Sequence, residues 1–99
     1  METRDLILIE HFCTNHDIEF SFIDSLQAFG LIEVVVHEDN KYLQQEQLKD
    51  VEKMMRMHYD LDINMEGIDV ISHLLKRIDT LQHELRLAQN KLRLYENED

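Results

Sequence analysis

Ninety-nine residues and 11.9 kDa suffice for one small domain with an appended element. Ten Lys and Arg against 21 Asp and Glu give a formal net charge of −11, which disfavours non-specific binding to phosphate backbones or anionic membranes. No proline, two glycines and a single cysteine exclude collagen, a Pro/Gly linker, turn-rich all-β folds, a disulfide framework and a four-thiolate zinc site.

Leu6–Leu8 is a short apolar run and predicts a brief strand. A short helix follows, with Ile9, Phe12 and Cys13 at i, i+3 and i+4 on one face. Asn15-His16-Asp17 has turn chemistry, because Asn and Asp tolerate left-handed backbone. A second helix is predicted from about Glu19 to Phe29, with Gly30 suited to the position just past its end. Phe22, Leu26 and Phe29 form its apolar stripe and Ile23 the shoulder, which leaves Phe20 partly exposed. The β-branched run Leu31 to Val36 predicts a strand, Glu38-Asp39-Asn40 a turn, and Lys41-Tyr42-Leu43 the returning strand of a hairpin.

A third helix is expected from about Gln45 to Tyr59, with Leu48, Val51, Met55 and Tyr59 as its stripe. That spacing places Met54 or Met55 in the core and Met57 outside it. Asp60 to Asn64 breaks this helix. Asn64 is placed to cap the next one, Glu66 suits its first turn, and Gly67 is a weak point. Beyond it, Ile71, Leu74, Ile78, Leu81, Leu85, Ala88, Leu92 and Tyr95 alternate at three and four residues without a break. With a at 71, 78, 85 and 92 and d at 74, 81, 88 and 95, this is a coiled-coil seam. It spans on the order of 37 Å, too long for a domain of this size to cover, and predicts a homodimer. Packing against the third helix is the intramolecular alternative.

The order helix, turn, helix, hairpin, helix, long helix resembles a MerR-type winged helix-turn-helix protein. The likeness is closest at Ile-Glu-His-Phe-Cys (9–13), Asp-Ile-Glu (17–19) and Phe-Gly-Leu-Ile (29–32). It is also close across Leu61 to Leu81, through Gly67-Ile68, Ile71, Leu74-Leu75, Ile78 and Leu81. These segments resemble the chaperone-modulator (CbpM-like) branch of that superfamily, over nearly the whole chain. The resemblance implies a mainly α fold: a winged helix-turn-helix domain over residues 1–62, with a small β-hairpin wing, and a C-terminal dimerisation helix over 63–99. It also implies a small cytoplasmic, non-catalytic protein without a cofactor. Such a protein binds the J-domain of a DnaJ-like co-chaperone and inhibits its action on a DnaK-type chaperone. The alternative within the superfamily is a DNA-binding transcriptional regulator.

Charge discriminates between these readings. The second helix, where a DNA reader carries donors and cations, holds no Arg or Lys but does hold Glu19 and Asp24, with Asp17 just before it. Residues 1–40 carry one base, Arg4, against nine acids. Nucleic acid is thereby disfavoured, although Lys49, Lys53 and Arg56 on the third helix offer a cationic cluster. The acids serve either solubility or docking of a basic partner. Phe20 beside Asp17, Glu19 and Asp24 has the composition of an interface anchor, or else folds under the hairpin.

His11, Cys13 and His16 invite a metal reading, but His11 points about 200° from Cys13 on a helix, and Cys13 suits an apolar core position. His58, His73 and His83 read as isolated surface or rim residues. No glycine-rich phosphate loop and no nucleophile motif occurs, which points away from an enzyme with a small-molecule substrate. No apolar run nears the roughly 20 residues that span a bilayer, and the partly acidic start is unlike a secretory signal, so a cytoplasmic location is expected.

Overall fold

Short apolar runs separated by left-handed turn residues set the architecture of the first two-thirds of the chain. A computed structural model describes residues 5–97, so Glu2 and Arg4 of the charge count lie outside the described residues. The elements are β1 (Leu6–Leu8), α1 (Ile9–His16), α2 (Phe20–Ala28), β2 (Val34–His37) and β3 (Asn40–Gln44). A 3-10 turn (Gln45–Gln47), α3 (Leu48–Met55), a π-helical turn (Arg56–Asp60) and α4 (Met65–Glu96) complete them. The fold is mainly helical, a winged helix-turn-helix with a small antiparallel sheet and a long C-terminal helix.

Both helices of the helix-turn-helix end by the same device. At the end of α1, Asp17 takes φ 53°, and the Ile18 N–H donates to the Cys13 carbonyl at 3.0 Å. At the end of α2, Gly30 takes φ 73°, its N–H donates to the Gln27 carbonyl and the Leu31 N–H to the Leu26 carbonyl, both at 2.9 Å. One left-handed residue thus satisfies the last carbonyls and turns the chain back over the core. Aspartate accepts this backbone at a modest cost that glycine does not incur.

The wing closes on Glu38 and Asp39, at φ 50° and 66°, the two-residue geometry whose twist matches the flanking strands. β3 is the central strand. It pairs antiparallel with β2 (Val34↔Leu43, Val35↔Tyr42) and with β1 (Leu6↔Gln44, Ile7↔Leu43, Leu8↔Tyr42), in the order β1-β3-β2. The expected hairpin is therefore two of three strands, because β1 closes the sheet from its other side. The first strand of the hairpin begins at Val34 rather than Leu31. Leu31 is spent closing α2, and both backbone groups of Glu33 are taken by the Gln47 side chain, at 2.8 and 3.0 Å.

Ile9, Phe12 and Cys13 are buried together, as their spacing predicts, with Phe22, Ile23, Leu26, Ile32, Leu43, Val51, Met54, Met57 and Ile68. Two core assignments change. Phe29, expected on the α2 stripe, is 39% exposed, whereas Ile23, expected at the shoulder, is fully covered. Met57, expected outside, is buried, and Tyr59, expected on the α3 stripe, is 45% exposed. The cause of the second change is the π-helical turn, which adds a residue to one turn and ends the 3.6-residue stripe at Met55. The third helix accordingly divides into a 3-10 turn, α3 and the π turn rather than running unbroken from Gln45 to Tyr59.

Asn64 caps α4, accepting the Gly67 N–H on Oδ1 at 2.8 Å. Gly67 is more than a weak point. A Cβ there would lie 2.7 Å from Ile63 Cγ2, so glycine is what lets the entry loop sit against the first turn.

The chain divides into two compact units, one ending at Asp69 and the other beginning at Val70. In the second, α4 continues as unbroken helix to Glu96. Its seam residues Leu74, Ile78, Leu81, Leu85, Ala88, Leu92 and Tyr95 are all exposed, and Ile71 is half-buried. Leu75, Leu87 and Leu94, outside the a and d positions, are exposed as well.

Candidate functional site

The turn between α1 and α2 gathers three of the four residues singled out for partner binding. Asp17 holds the left-handed position, Glu19 precedes α2, and Phe20 opens it at 44% exposure. Asp24 lies one turn further along α2, at i+4 from Phe20 and on the same face. All three carboxylates are exposed. The Ser21 hydroxyl donates to Glu19 Oε2 at 3.1 Å, and the Glu19 N–H donates to the Tyr59 hydroxyl oxygen at 3.3 Å. Lys41, the one Lys or Arg of the wing strands, lies 4.0 Å from Asp24. That pairing turns the wing's cation toward a carboxylate.

Behind this face stands an aromatic cluster that periodicity alone does not reveal. His58 stacks on Phe22 with ring centroids 4.9 Å apart, and Tyr59 meets both rings edge-on, at 5.4 and 4.8 Å. His58 Nδ1 lies 3.3 Å from the Ile63 carbonyl, which can only accept, so Nδ1 carries the proton in that bond. His58 is half-buried, as a rim residue is, but it is not isolated as expected, since its ring stacks on Phe22 and its Nδ1 is bonded. Phe22 is presented by α2, and His58 and Tyr59 by the π turn. Nothing in Arg-Met-His-Tyr-Asp announces it, whereas an aromatic pair just before a helix break is a signal that could have been used.

A cleft of about 390 Å³ opens beside the same turn. His16, Asp17 and Ile18 line it from the end of α1, and Glu52, Met55, Arg56, Tyr59 and Asp60 from α3 and the π turn. Three carboxylates thus face one guanidinium. Apart from Asp17, none of these residues was expected at the partner-binding face, since they converge from segments more than thirty residues apart.

Of the cationic cluster on the third helix, Lys49, Lys53 and Arg56 are all exposed, but Asp50 and Glu52 stand between them and Arg56 faces the acidic cleft. The His11, Cys13 and His16 trio does not converge. Cys13 is buried, His11 is exposed, and the exposed His16 packs its ring on Phe12 at 4.2 Å and bonds the Phe12 carbonyl at 3.1 Å. Burial pushes the Cys13 thiol above its ordinary value, and the Asp24 charge pushes it the same way. A neutral buried thiol is a small hydrophobe, not a nucleophile. Among the described residues no three His, Cys, Asp or Glu side chains form a group that could hold a metal ion, and no helix is long and apolar enough to cross a membrane.

No curated protein and no solved structure matches the chain. A family model does: MerR HTH family regulatory protein, over residues 7–90. The match takes in the helix-turn-helix, the wing, α3 and most of α4, and the chain belongs to that regulatory family.

Proposed function

We propose that this member of the family is a non-catalytic modulator that binds the J-domain of a DnaJ-like co-chaperone and inhibits its action on a DnaK-type chaperone. The observation that carries the reading is the surface of α2. The position of a DNA-reading helix holds no cation. It presents instead an exposed Phe20 among Asp17, Glu19 and Asp24. Carboxylates repel phosphates and leave no counterions to release, whereas they attract a basic helix and speed its encounter. An exposed aromatic ringed by charge supplies the desolvated anchor that such contacts need.

In the same proposal, residues 63–99 serve as the dimerisation element and the protein acts in the cytoplasm, as a homodimer. The apolar seam Ile71, Leu74, Ile78, Leu81, Leu85, Ala88, Leu92 and Tyr95 supports the pairing, because seven of the eight are exposed in the single chain.

Calorimetric titration with the J-domain of the organism's own DnaJ-like co-chaperone tests the reading. Binding at micromolar affinity or tighter, weakening as salt rises, is expected. Phe20→Ala should weaken it with helical content unchanged. Absence of binding at both low and high salt rules the modulator out. Membership of the regulatory family keeps a DNA-binding role as the second reading, and a shift of duplex DNA at physiological salt would favour it.

A further inference from the structure

The cleft beside α1 remains unused by the α2 surface alone. We propose that it seats one long-stemmed cationic side chain, an arginine or lysine, presented by a basic partner. This deepens the docking reading and rests on it for the partner's identity. At about 390 Å³ the cleft is near the lower limit for small-molecule sites and suits a side chain better than a whole metabolite.

Its lining has the two parts that such a side chain requires. Ile18 and Met55, both half-buried, and the ring of Tyr59 offer an apolar track for the methylene stem. The ring is fixed by the Glu19 N–H on its hydroxyl, and its face attracts a cation. Asp17, Glu52 and Asp60 supply the charge for the head group. Among the described residues none of the three has an ion-pair partner within 4 Å, Arg56 included. An anion would meet three carboxylates there. The cleft is also continuous with the docking face, since Asp17 belongs to both and Tyr59 is bonded to Glu19. Arg56 is the resident cation, so it competes with the incoming one.

The test compares variants in titrations with the J-domain. Glu52→Gln with Asp60→Asn removes two exposed charges and leaves the Asp17 turn intact. Exposed pairs of this kind predict binding about fivefold weaker, with a shallower salt dependence. Arg56→Gln has the opposite sign and should tighten binding about twofold. If Phe20→Ala weakens binding while both cleft variants leave it unchanged, the cleft proposal is overturned and the docking reading survives. If the wild-type protein binds no J-domain, the docking reading fails and a tetra-arginine peptide decides the cleft. Amide shifts at Ile18, Met55 and Tyr59 that vanish in the Glu52→Gln, Asp60→Asn variant would uphold it, and their absence in the wild type would overturn it.

Discussion

Residues 9–68 and residues 70–96 treat their apolar side chains in opposite ways. The first stretch contains every fully buried core residue, from Ile9 to Ile68. The second is a single helix whose leucines are exposed almost without exception. The difference lies in periodicity. Apolar residues of the first stretch sit in short bursts of changing period, which fold back on one another through left-handed turns. Those of the second hold one period for 25 residues, and a straight stripe cannot fold back on itself. Under the homodimer proposal, the small domain completes its core internally and the helix completes its own against a second copy.

The largest expected effect falls on the uncompleted half. In the proposed homodimer Leu85→Asp would bury an unpaired charge twice, at about 3–5 kcal/mol each, and should convert that dimer to monomers in sedimentation. Its far-UV spectrum should still report a folded first unit. An unchanged dimer mass refutes the seam register. Leu26→Ala does the reverse. It empties a fully buried site and should cost about 2–5 kcal/mol of domain stability in chemical denaturation. If Leu26→Ala also dissociates the dimer at temperatures where the domain is folded, the two halves are not as separate as their burial implies.

Gly67→Ala tests the junction between the two regimes. Helix propensity alone predicts a gain of about 1 kcal/mol. The 2.7 Å approach of Ile63 Cγ2 predicts a loss of about 1–3 kcal/mol instead, because a β-branched side chain in a packed loop has little room to give. Thermal denaturation gives the sign directly.

The smallest effect concerns Cys13. Its thiol is raised in the folded chain by burial first and by Asp24 second. The folded protein therefore keeps the thiol proton after the unfolded chain has lost it. This contribution to stability is fully present below the ordinary value of 9.0 and is lost as pH rises through the folded value. Cys13→Ala should flatten that alkaline decline, and native Cys13 should react slowly with thiol reagents at neutral pH.

The parts of the fold legible in the sequence are those encoded within a turn or two of chain. Ile9, Phe12 and Cys13 share a face by spacing, Asp17 and Gly30 mark helix ends by their backbone tolerance, and Asn64 caps by its side chain. What escaped is set by neighbours distant in sequence. The run Leu6–Leu8 announces a strand but not its place beside β3, and Leu31 leaves the hairpin strand because its N–H closes α2. The π turn has no composition of its own, so Met57 and Tyr59 exchanged places unannounced. The candidate site divides likewise. Phe20 and its acids lie in one short segment and are readable, whereas Glu52, Tyr59 and Asp60 reach the cleft only because α3 and the π turn come beside the end of α1.

The Gln47 clamp bears on behaviour at high concentration. β2 is an edge strand, and Val34-Val35-Val36 is the kind of β-branched run through which identical chains zip into fibrils. By occupying both backbone groups of Glu33 on the side that faces β3, one side-chain amide ends the ladder at Val34 and so keeps to four residues the strand that a neighbouring molecule could extend.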